Sequence, residues 1–500
     1  MAKNRALISV YDKSGVVEFA RELIKFDYEI ISTGGTYKLL KDNKIPATEV
    51  KEITDFDELL DGRVKTLHPK IFGGILARVD NPNDMLDLER NDIAPINLVA
   101  VNLYPFEQEK TVDFIDIGGV SLIRAAAKNF SYVNVLIEPS QYEKFINVLK
   151  NNNGETTEDY RKSLAVKAFK HTCEYDKLIA QTLDETELAE TINLNLEKIQ
   201  DLRYGENPYQ TAGLYKLNDD ISFELLNGKE LSFNNIVDMA AAFNIVSEFI
   251  GVICCAIVKH NNPCGAAIGD SVEDAYQKAL ECDPISAFGG IVAFNHKVDF
   301  KTAKLMKELF LEVIIAPDFD NDAVELLKQK KNLRLVKVNE DILSYKQMPI
   351  VDIKNTKFGT LVQTKEDKEL GKDNFKVVTK AKPDEKMIED MLFAWKIAKH
   401  VKSNAIVVVK DKRTLGIGSG QTSRIASMEI ALAQACDGAT DAVVASDGFF
   451  PAIDNIQAAA QSRIAAIIQP GGSIKDEDVI KECNKYNIAM IMTGIRHFLH

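Results

Sequence analysis

The sequence predicts an α/β protein with a parallel sheet in its N-terminal part and a further α/β part behind it. Over the first 140 residues, short apolar runs alternate with stretches of helical period, which favours parallel strands covered by helices. A second strand–helix series begins at Leu202. The 500 residues, of which 46% are hydrophobic and 27% charged, suffice for several globular cores.

The first part alternates strands and helices in order. Val16, Ala20, Leu23 and Ile24 have the spacing of a buried helix stripe. The predicted strands are 6–10, 28–32 and 96–104, and the predicted helices are 16–26, 36–43 and 120–130.

The second part repeats the pattern after a polar segment. We expect a helical connection over 151–200, then two α/β subdomains over 201–360 and 361–500, and a first domain over 1–150. A Lys- and Asp-rich stretch at 351–385 marks the junction between the subdomains. Predicted elements are strands at 254–260 and 291–295 and a helix at 271–283, which begins with a capping box of Ser271 and Asp274.

Composition limits the class of protein. A formal net charge of −13 argues against a nucleic-acid partner. No apolar run reaches the roughly 18 residues that span a bilayer, and the apolar stretch near the N-terminus is too short for a signal peptide. The seven Cys are scattered without a CxxC pair, so we expect free thiols in the reducing cytoplasm.

Three glycine-containing turns precede predicted helices in the first part: 13–15, 32–36 and 116–119. Helix starts with free N–H groups attract anions, although a single such turn more often only ends a strand and caps a helix. The loop with Arg63, Lys65, Thr66 and His68 adds cations and a hydroxyl, and Tyr104 follows a strand. Together these features favour a phosphorylated ligand.

Lys259 and His260 end an apolar strand in the second part, and an expected turn, Asn-Asn-Pro-Cys-Gly, follows them. A surface strand end with two ordinary polar residues is the alternative interpretation. Zinc deaminases also place Pro-Cys after a His, but they require HxE and PCxxC. Here Asn262 replaces the Glu and Ala267 the second Cys, so we predict no catalytic metal site.

The motifs ISVYDKSG, STGGT, GRVKTLHPKIFGGIL, NLYPF and DIGGVSLIRAAAKN resemble the inosine-monophosphate (IMP) cyclohydrolase domain of the bifunctional purine biosynthesis family. The resemblance implies a fold similar to methylglyoxal synthase and the dehydrative ring closure of a formamido-imidazole carboxamide ribotide. It implies catalytic roles for Lys65, Tyr104, Asp116 and Lys128, although Lys128 lies well inside its predicted helix. The implied substrate-binding residues are Ser9, Lys13, Ser32, Thr33, Gly34, Gly35, Thr36, Arg63, Thr66, Asn102, Ile117 and Gly118.

The motifs SAFGGIVAFN, EVIIAPDF, SNAI, GIGSGQTSRI, SDGFFP and TGIRHFLH resemble the transformylase half of the same family. The resemblance implies 10-formyltetrahydrofolate as cosubstrate and a fold similar to a duplicated cytidine deaminase without zinc. It implies His260 as base, Lys259 as its partner and Asn404 as a donor to the formyl oxygen; which of the pair takes the first proton stays open. The implied binding residues are Arg203, Tyr204, Glu312, Arg424, Phe449 and Arg496.

The resemblance further implies a homodimer and a structural K⁺. The chain departs from the family pattern at Tyr209, Gly448 and Ala452, where His or larger residues are common. A related lyase or deaminase, and a nucleotide sensor without activity, are the alternatives. Loss of the zinc set disfavours the first, and retention of Lys65, Asp116, Lys128, Lys259 and His260 disfavours the second.

Overall fold

The computed structural model describes residues 4–60, 62–184, 191–192, 194, 196–216, 223–339, 351–364, 366, 368, 370 and 375–500. The chain divides into two compact units, Met1–Asn193 and Leu194–His500. Within the described residues, no helix is both long and apolar enough to cross a membrane.

The first unit is built on a parallel sheet of five strands in the order β3-β2-β1-β4-β5. Its strands are β1 Asn4–Val10, β2 Tyr28–Ser32, β3 Thr48–Glu49, β4 Leu98–Asn102 and β5 Asn134–Leu136. Its helices are α1 Val16–Lys25, α2 Gly34–Asp42, α3 Val50–Thr54, α4 Pro69–Leu76, α5 Pro82–Arg90, α6 Gly118–Lys128, α7 Gln141–Asn151 and α8 Glu158–Leu183. The parallel sheet expected from the alternating pattern is confirmed.

Helix α8 lies within the segment expected to be a connection, but it packs on α6 and β5 as part of the first unit. Its buried apolar residues, Leu164, Ala165, Ala168 and Tyr175, join the core of this unit. The polar faces that suggested a connecting segment belong to its solvent side.

The second unit contains a mixed sheet of twelve strands among its described residues. Its strands are β6 Glu197–Leu202, β7 Ala212–Lys216, β8 Phe223–Asn227, β9 Ile253–Lys259, β10 Asn262–Gly269, β11 Ile291–Phe294, β12 Val313–Ala316, β13 Arg334–Val338, β14 Val351–Thr356, β15 Gly359–Thr364, β16 Lys376–Val377, β17 Ile406–Lys410, β18 Arg413–Gly418, β19 Val443–Ser446, β20 Ala466–Gln469 and β21 Ala489–Met492. Its helices are α9 Phe233–Ser247, α10 Val272–Cys282, α11 Phe300–Glu308, α12 Asn321–Leu327, α13 Glu385–Ala398, α14 Arg424–Ala435, α15 Asp454–Gln461 and α16 Asp476–Lys485. The pairs β6–β7 and β14–β15 form separate hairpins, the latter within the expected junction.

The large sheet consists of two copies of one motif. Each copy is a helix, an antiparallel hairpin and then alternating helices and strands, and the strand orders β13-β12-β11-β9-β10 and β18-β17-β19-β20-β21 mirror each other. The copies join where β10 pairs with β18. The topology therefore shows an internal duplication.

Alternation along β9 explains the layers. Cys254, Ala256 and Val258 face a core shared with α9 and α13, whereas Cys255 and Ile257 face the core under α10, α11 and α12. Both faces of β9 are therefore buried, which agrees with its continuous apolar sequence.

The prediction of a five-residue turn after β9 is wrong, because the turn is shorter. The chain reverses at His260 and Asn261 alone, both with positive φ, and β10 already begins at Asn262. Pro263 lies where the register shifts between Pro263 and Gly265, a β-bulge that tolerates a residue without an N–H group. The Ser271 cap is present, but the Asp274 carboxylate accepts from the N–H of Asp270.

Candidate active sites in the two units

The candidate site of the first unit lies at the carboxyl ends of β1, β2 and β4. In this parallel sheet the strand order reverses between β1 and β4, which is where open α/β sheets bind ligands. Asn102 fastens the loop after β1, since its Oδ1 accepts from the N–H groups of Tyr11 at 2.6 Å and Asp12 at 2.9 Å. The hydroxyls of Ser9 and Thr33 are 2.8 Å apart.

Two lysines converge on the start of α2. A β-carbon on Gly34 would lie 3.5 Å from Nζ of Lys65, and one on Gly35 would lie 3.7 Å from Cε of Lys13. No side chain caps the N-terminus of this helix. Two ammonium groups beside an uncapped helix start form an environment suited to a phosphate.

Asp116 is held in a half-buried position in front of α6. Its Oδ1 accepts from the N–H of Gly119 at 2.6 Å, and its own N–H donates to the Tyr175 hydroxyl at 2.8 Å. Burial raises the pKa of Asp116, although hydrogen bonds from the backbone N–H groups of Gly119 and Tyr104 oppose this effect. Asp116 is thus a carboxylate with a raised affinity for protons.

Tyr104 and Thr66 lie at the same edge of the sheet: the backbone N–H of Tyr104 bonds the Asp116 carboxylate, and Thr66 lies beside Gly118. The Tyr104 ring packs edge-on against Tyr11 at 5.5 Å, and 39% of the residue stays exposed. A β-carbon on Gly118 would lie 3.2 Å from Oγ1 of Thr66, so glycine lets this loop approach the helix start. Ile117 is mostly exposed at the same edge.

Other expected residues of this site have different contacts. The Ser32 hydroxyl donates to the carbonyl of Ile8 and the Thr36 hydroxyl to that of Val10, and both residues are buried. Both hydroxyls therefore already donate their protons to carbonyl groups of strand β1. Arg63 pairs with Asp113.

Lys128 ends helix α6. It lies ten residues beyond Gly118, which corresponds to about 15 Å along the helix. The structure therefore does not bring Lys128 together with Lys65, Tyr104 and Asp116 within the first unit.

In the second unit, Lys259 and His260 lie at the tip of the β9–β10 hairpin as expected. Nζ of Lys259 donates to the carbonyl of Phe288 at 2.8 Å. Asn262 links the tip to a neighbouring loop, because its Oδ1 accepts from the N–H of Lys402 at 3.2 Å while its Nδ2 donates to the carbonyl of His260.

That loop carries Asn404, which Arg424 holds in place. Nη2 of Arg424 donates to Oδ1 of Asn404 at 2.8 Å, and Nη1 donates to Ser446 at 2.8 Å and to the carboxylate of Asp447. Both partners of the Arg424–Asp447 ion pair are buried. Arg424, expected to bind the nucleotide, uses these donors within the protein.

Two adjoining cavities open beside Asn404. One of about 400 Å³ is lined by residues that include Asn404, Arg424, Phe449 and Phe498. The other, of about 330 Å³, includes Ser403, Gln421 and Phe498. Phe449 is half-exposed toward the cavity, whereas its neighbour Phe450 is fully buried in the core.

The remaining expected residues form local pairs. Arg203 lies 4.7 Å over the ring of Tyr204 and Arg496 lies 4.3 Å over that of Phe498, both as cation–π contacts. Glu312 accepts from Nη1 of Arg334 at 2.6 Å. Of these, only the Arg496–Phe498 pair lies at a described cavity.

Sequence reasoning missed Asp238, Tyr175 and Asp447. Asp238 accepts from the N–H groups of His260 and Asn261, the Tyr175 hydroxyl accepts from the N–H of Asp116 and donates to the carbonyl of Phe114, and Asp447 neutralises Arg424. The SDGFFP motif marked the region of Asp447, but the other two lie on helices where nothing in the local pattern distinguishes them. Among the described residues there is no cluster of His, Cys, Asp and Glu fit for a metal ion.

Comparison with known proteins covers both units. A family model described as AICARFT/IMPCHase bienzyme matches residues 126–434, and one described as MGS-like domain matches residues 15–130. Curated relatives are named Bifunctional purine biosynthesis protein PurH. The chain is 52% identical over 508 residues to that of Clostridium botulinum (strain Kyoto / Type A2), 50% over 520 residues to that of Persephonella marina, and 48% over 516 residues to that of Caldicellulosiruptor saccharolyticus, with 99% of each chain covered.

Proposed function

The chain belongs to the AICARFT/IMPCHase bienzyme family, and we propose that its two units divide the two reactions between them. It is a bifunctional enzyme of purine biosynthesis. It transfers a formyl group from 10-formyltetrahydrofolate to the 5-amino group of the aminoimidazole carboxamide ribotide AICAR, and it closes the product FAICAR to IMP with loss of water.

We assign ring closure to the first unit, because its MGS-like sheet edge gathers Lys13, Lys65 and Asp116. Lys13 and the start of α2 hold the phosphate of the ribotide, and Lys65 is left for the reacting groups. The carboxamide nitrogen attacks the formyl carbon and forms a C–N bond, and the proton that it loses passes to the formyl oxygen. The formamido nitrogen then gives up its proton, the C–O bond breaks, and water leaves as the C=N bond of the ring forms. Asp116 takes the amide proton, since its raised pKa makes it a better base than an ordinary carboxylate.

Lys65 and Tyr104 supply the remaining charge and proton handling in this proposal. Lys65 has its Nζ near Gly34, and in this proposal its ammonium group stabilises the developing oxyanion rather than the phosphate. The Tyr104 hydroxyl donates to the departing oxygen. Lys128 stays a proposed participant by family resemblance alone, because α6 carries it to the far end of the helix.

We assign formyl transfer to the second unit. The amine of AICAR is a weak nucleophile, because its lone pair is conjugated with the carboxamide. Its nitrogen bonds to the formyl carbon, the bond from that carbon to N10 of the folate breaks, and N10 receives a proton. His260 takes the proton of the amine, and Lys259 and Asn404 stabilise charge on the formyl oxygen.

The cavities beside Asn404 support this assignment, since together they offer room for the reacting rings. Phe449 and Phe498 provide apolar ring contacts there. Arg203, Tyr204, Glu312 and Arg496 are proposed to bind the substrates at the periphery of this unit. Arg424 contributes through Asn404.

We propose a homodimer located in the cytoplasm. All seven Cys are free thiols, which supports a reducing compartment. A structural K⁺ is also proposed, by family resemblance alone. A higher melting temperature in KCl than in choline chloride at equal ionic strength is the expected sign of this ion, and equal values would contradict it.

The assignment is tested by separating the two steps. AICAR and 10-formyltetrahydrofolate are supplied together and IMP is followed by absorbance; in a second assay FAICAR alone is supplied. We expect His260→Ala to abolish formyl transfer and retain ring closure, and Lys65→Ala or Asp116→Ala to do the reverse. If either change abolishes both steps in a folded protein, the division between the units is wrong.

A further inference from the structure

The two copies of the repeated motif stabilise their hairpins with the same device. Asp238 is the sixth residue of α9, and Asp390 is the sixth residue of α13. Asp238 accepts from the N–H groups of His260 at 3.1 Å and Asn261 at 2.7 Å. Asp390 accepts from the corresponding N–H groups of Asp411 at 3.0 Å and Lys412 at 2.7 Å.

Both turns need this support. His260 and Asn261 have φ of 55° and 60°, and Asp411 and Lys412 have φ of 56° and 53°. Two-residue hairpins of this kind favour Asn-Gly, because only glycine adopts positive φ without strain. A carboxylate that accepts from both turn N–H groups offsets the strain and satisfies two backbone donors.

The lysine before each turn follows the same symmetry. Nζ of Lys259 donates to the carbonyl of Phe288, three residues before β11, at 2.8 Å. Nζ of Lys410 donates to the carbonyl of Thr440, three residues before β19, at 2.9 Å. The second copy therefore reproduces the hairpin architecture of the first in detail.

Of the two turns, only the first carries an imidazole. The position of His260 is taken in the second copy by Asp411, which pairs with Lys386, and that of Asn261 by Lys412, which pairs with Glu389. The side chains of the second turn are thus held in ion pairs, whereas the first turn presents His260. The second turn therefore serves as the comparison for the first.

We propose that Asp238 is a positioning residue for formyl transfer: it fixes the backbone of the β9–β10 turn and thereby the direction of the His260 imidazole. Asp238 acts through His260 and touches no substrate. The inference rests on the proposed role of His260 as the base. Misplacement of a reacting group by about 1 Å is enough to cost on the order of 100-fold in rate.

The test uses the full-length chain with Asp238→Asn and the matched control Asp390→Asn. Each substitution leaves one acceptor for two turn N–H groups, so both variants should have a lower melting temperature. We expect Asp238→Asn to lower kcat of formyl transfer at least about ten-fold with little change in the KM for AICAR. Asp390→Asn should leave kcat unchanged. Equal effects of the two variants on kcat, or none in either, would overturn the proposal.

A glycine in the turn provides the second readout. Asn261→Gly makes positive φ unstrained, so Asp238→Asn should cost much less kcat in this background than in the wild type. This comparison also covers the case in which Asp238→Asn alone does not fold. A folded double variant that has lost formyl transfer while Asn261→Gly retains it contradicts action through the turn.

The variants distinguish an error in the role of His260 from an error in the role of Asp238. Wild-type formyl transfer in His260→Ala shows that His260 is not the base. If instead His260→Ala is inactive and Asp238→Asn behaves like Asp390→Asn, the assignment of His260 stands and only the positioning role of Asp238 is lost. Ring closure from FAICAR, measured on every variant, confirms that the first unit is intact.

Discussion

Nη2 of Arg424 donates to Oδ1 of Asn404 at 2.8 Å, and this bond fixes which way the Asn404 amide points. With Oδ1 bound to Arg424 and Nδ2 donating to the carbonyl of Gln421 at 2.8 Å, the amide is oriented on both sides. The buried Asp447 carboxylate keeps the guanidinium in place. A residue that family resemblance assigns to the nucleotide therefore also organises the residue assigned to the formyl oxygen.

Arg424→Lys should lower both stability and formyl transfer. A single ammonium group cannot serve Asp447, Ser446 and Asn404 together as the planar guanidinium does. We expect the free energy of unfolding to fall by about 2 kcal/mol and kcat of formyl transfer to fall at least about ten-fold. Urea unfolding and steady-state kinetics measure the two effects. An increase in the KM for AICAR with kcat unchanged would instead show that Arg424 binds the nucleotide directly.

Tyr175→Phe should slow ring closure and leave the rate of formyl transfer unchanged. The Tyr175 hydroxyl accepts from the N–H of Asp116 and donates to the carbonyl of Phe114, both at 2.8 Å, so it fixes the loop that presents the carboxylate. Loss of the hydroxyl leaves a half-buried donor and acceptor unpaired, at a cost of about 1–3 kcal/mol in stability. We expect kcat with FAICAR to fall roughly ten-fold, with formyl transfer as the internal control.

One outcome for Tyr175→Phe would contradict a role in ring closure. If Tyr175→Phe loses stability but closes FAICAR at the wild-type rate, the hydroxyl serves the packing of α8 alone. Tyr160→Phe on the same helix is the matched control, because the ring of Tyr160 also packs against the core of this unit.

Asp116→Asn should stabilise the protein while it abolishes ring closure. Burial raises the pKa of Asp116, so the folded state favours the protonated form and ionisation reduces stability. This penalty begins as pH rises above the ordinary Asp value near 3.9 and is complete above the raised pKa of the folded state. We expect the Asn variant to unfold at a higher temperature at pH 7, by a margin that narrows toward pH 4, and kcat with FAICAR to fall on the order of 100-fold or more. A melting temperature of Asp116→Asn below that of the wild type at pH 7 would contradict the predicted stabilisation.

The sequence was most informative where a pattern is local. Strand β2 coincides with the predicted strand 28–32. Helices α2 and α6 begin at the glycine-containing turns that predict helix starts. Apolar periodicity and backbone freedom at glycine are properties of consecutive residues, so they can be read without knowledge of the fold. The place of Lys259 and His260 at a strand end followed from the same kind of signal.

Contacts between segments that are distant in sequence could not be predicted from local patterns. Asp238 and Tyr175 bond residues that are 22 and 59 positions away, and on their own helices they resemble ordinary surface and packing residues. The Asn-Asn-Pro-Cys-Gly segment was misjudged because proline and glycine mark turns and β-bulges alike. Only the pairing of β9 with β10 decides between the two.

Glu248→Gln should destabilise the second unit in a pH-dependent way. Burial alone would raise the pKa of Glu248, but hydrogen bonds from His400 at 3.0 Å and Lys399 at 2.9 Å outweigh it and lower the pKa to about 2. A carboxylate with a lowered pKa contributes stability above its unfolded value, near 4.3, and loses it as pH falls toward 2. We expect the variant to lose about 2 kcal/mol at pH 7, measured by urea unfolding, and the deficit to shrink below pH 4.3. A deficit that stays constant down to pH 3 would show that the ion pair is not its source.

Gly448→Ala tests the shape of the cavity that holds Phe498. A β-carbon at Gly448 would lie 2.5 Å from Nη2 of Arg424 and 2.7 Å from Cε1 of Phe498. Arg424 is held by Asp447, Ser446 and Asn404, whereas Phe498 is partly exposed, so the phenyl ring has to move. Because this ring lines both cavities, we expect the KM of a formyl-transfer substrate to rise about ten-fold while kcat changes little. Gly438→Ala is the matched control, since its new β-carbon would meet only Leu415 at an ordinary 3.4 Å. A fall in kcat with KM unchanged would mean that Arg424 moves instead and releases Asn404.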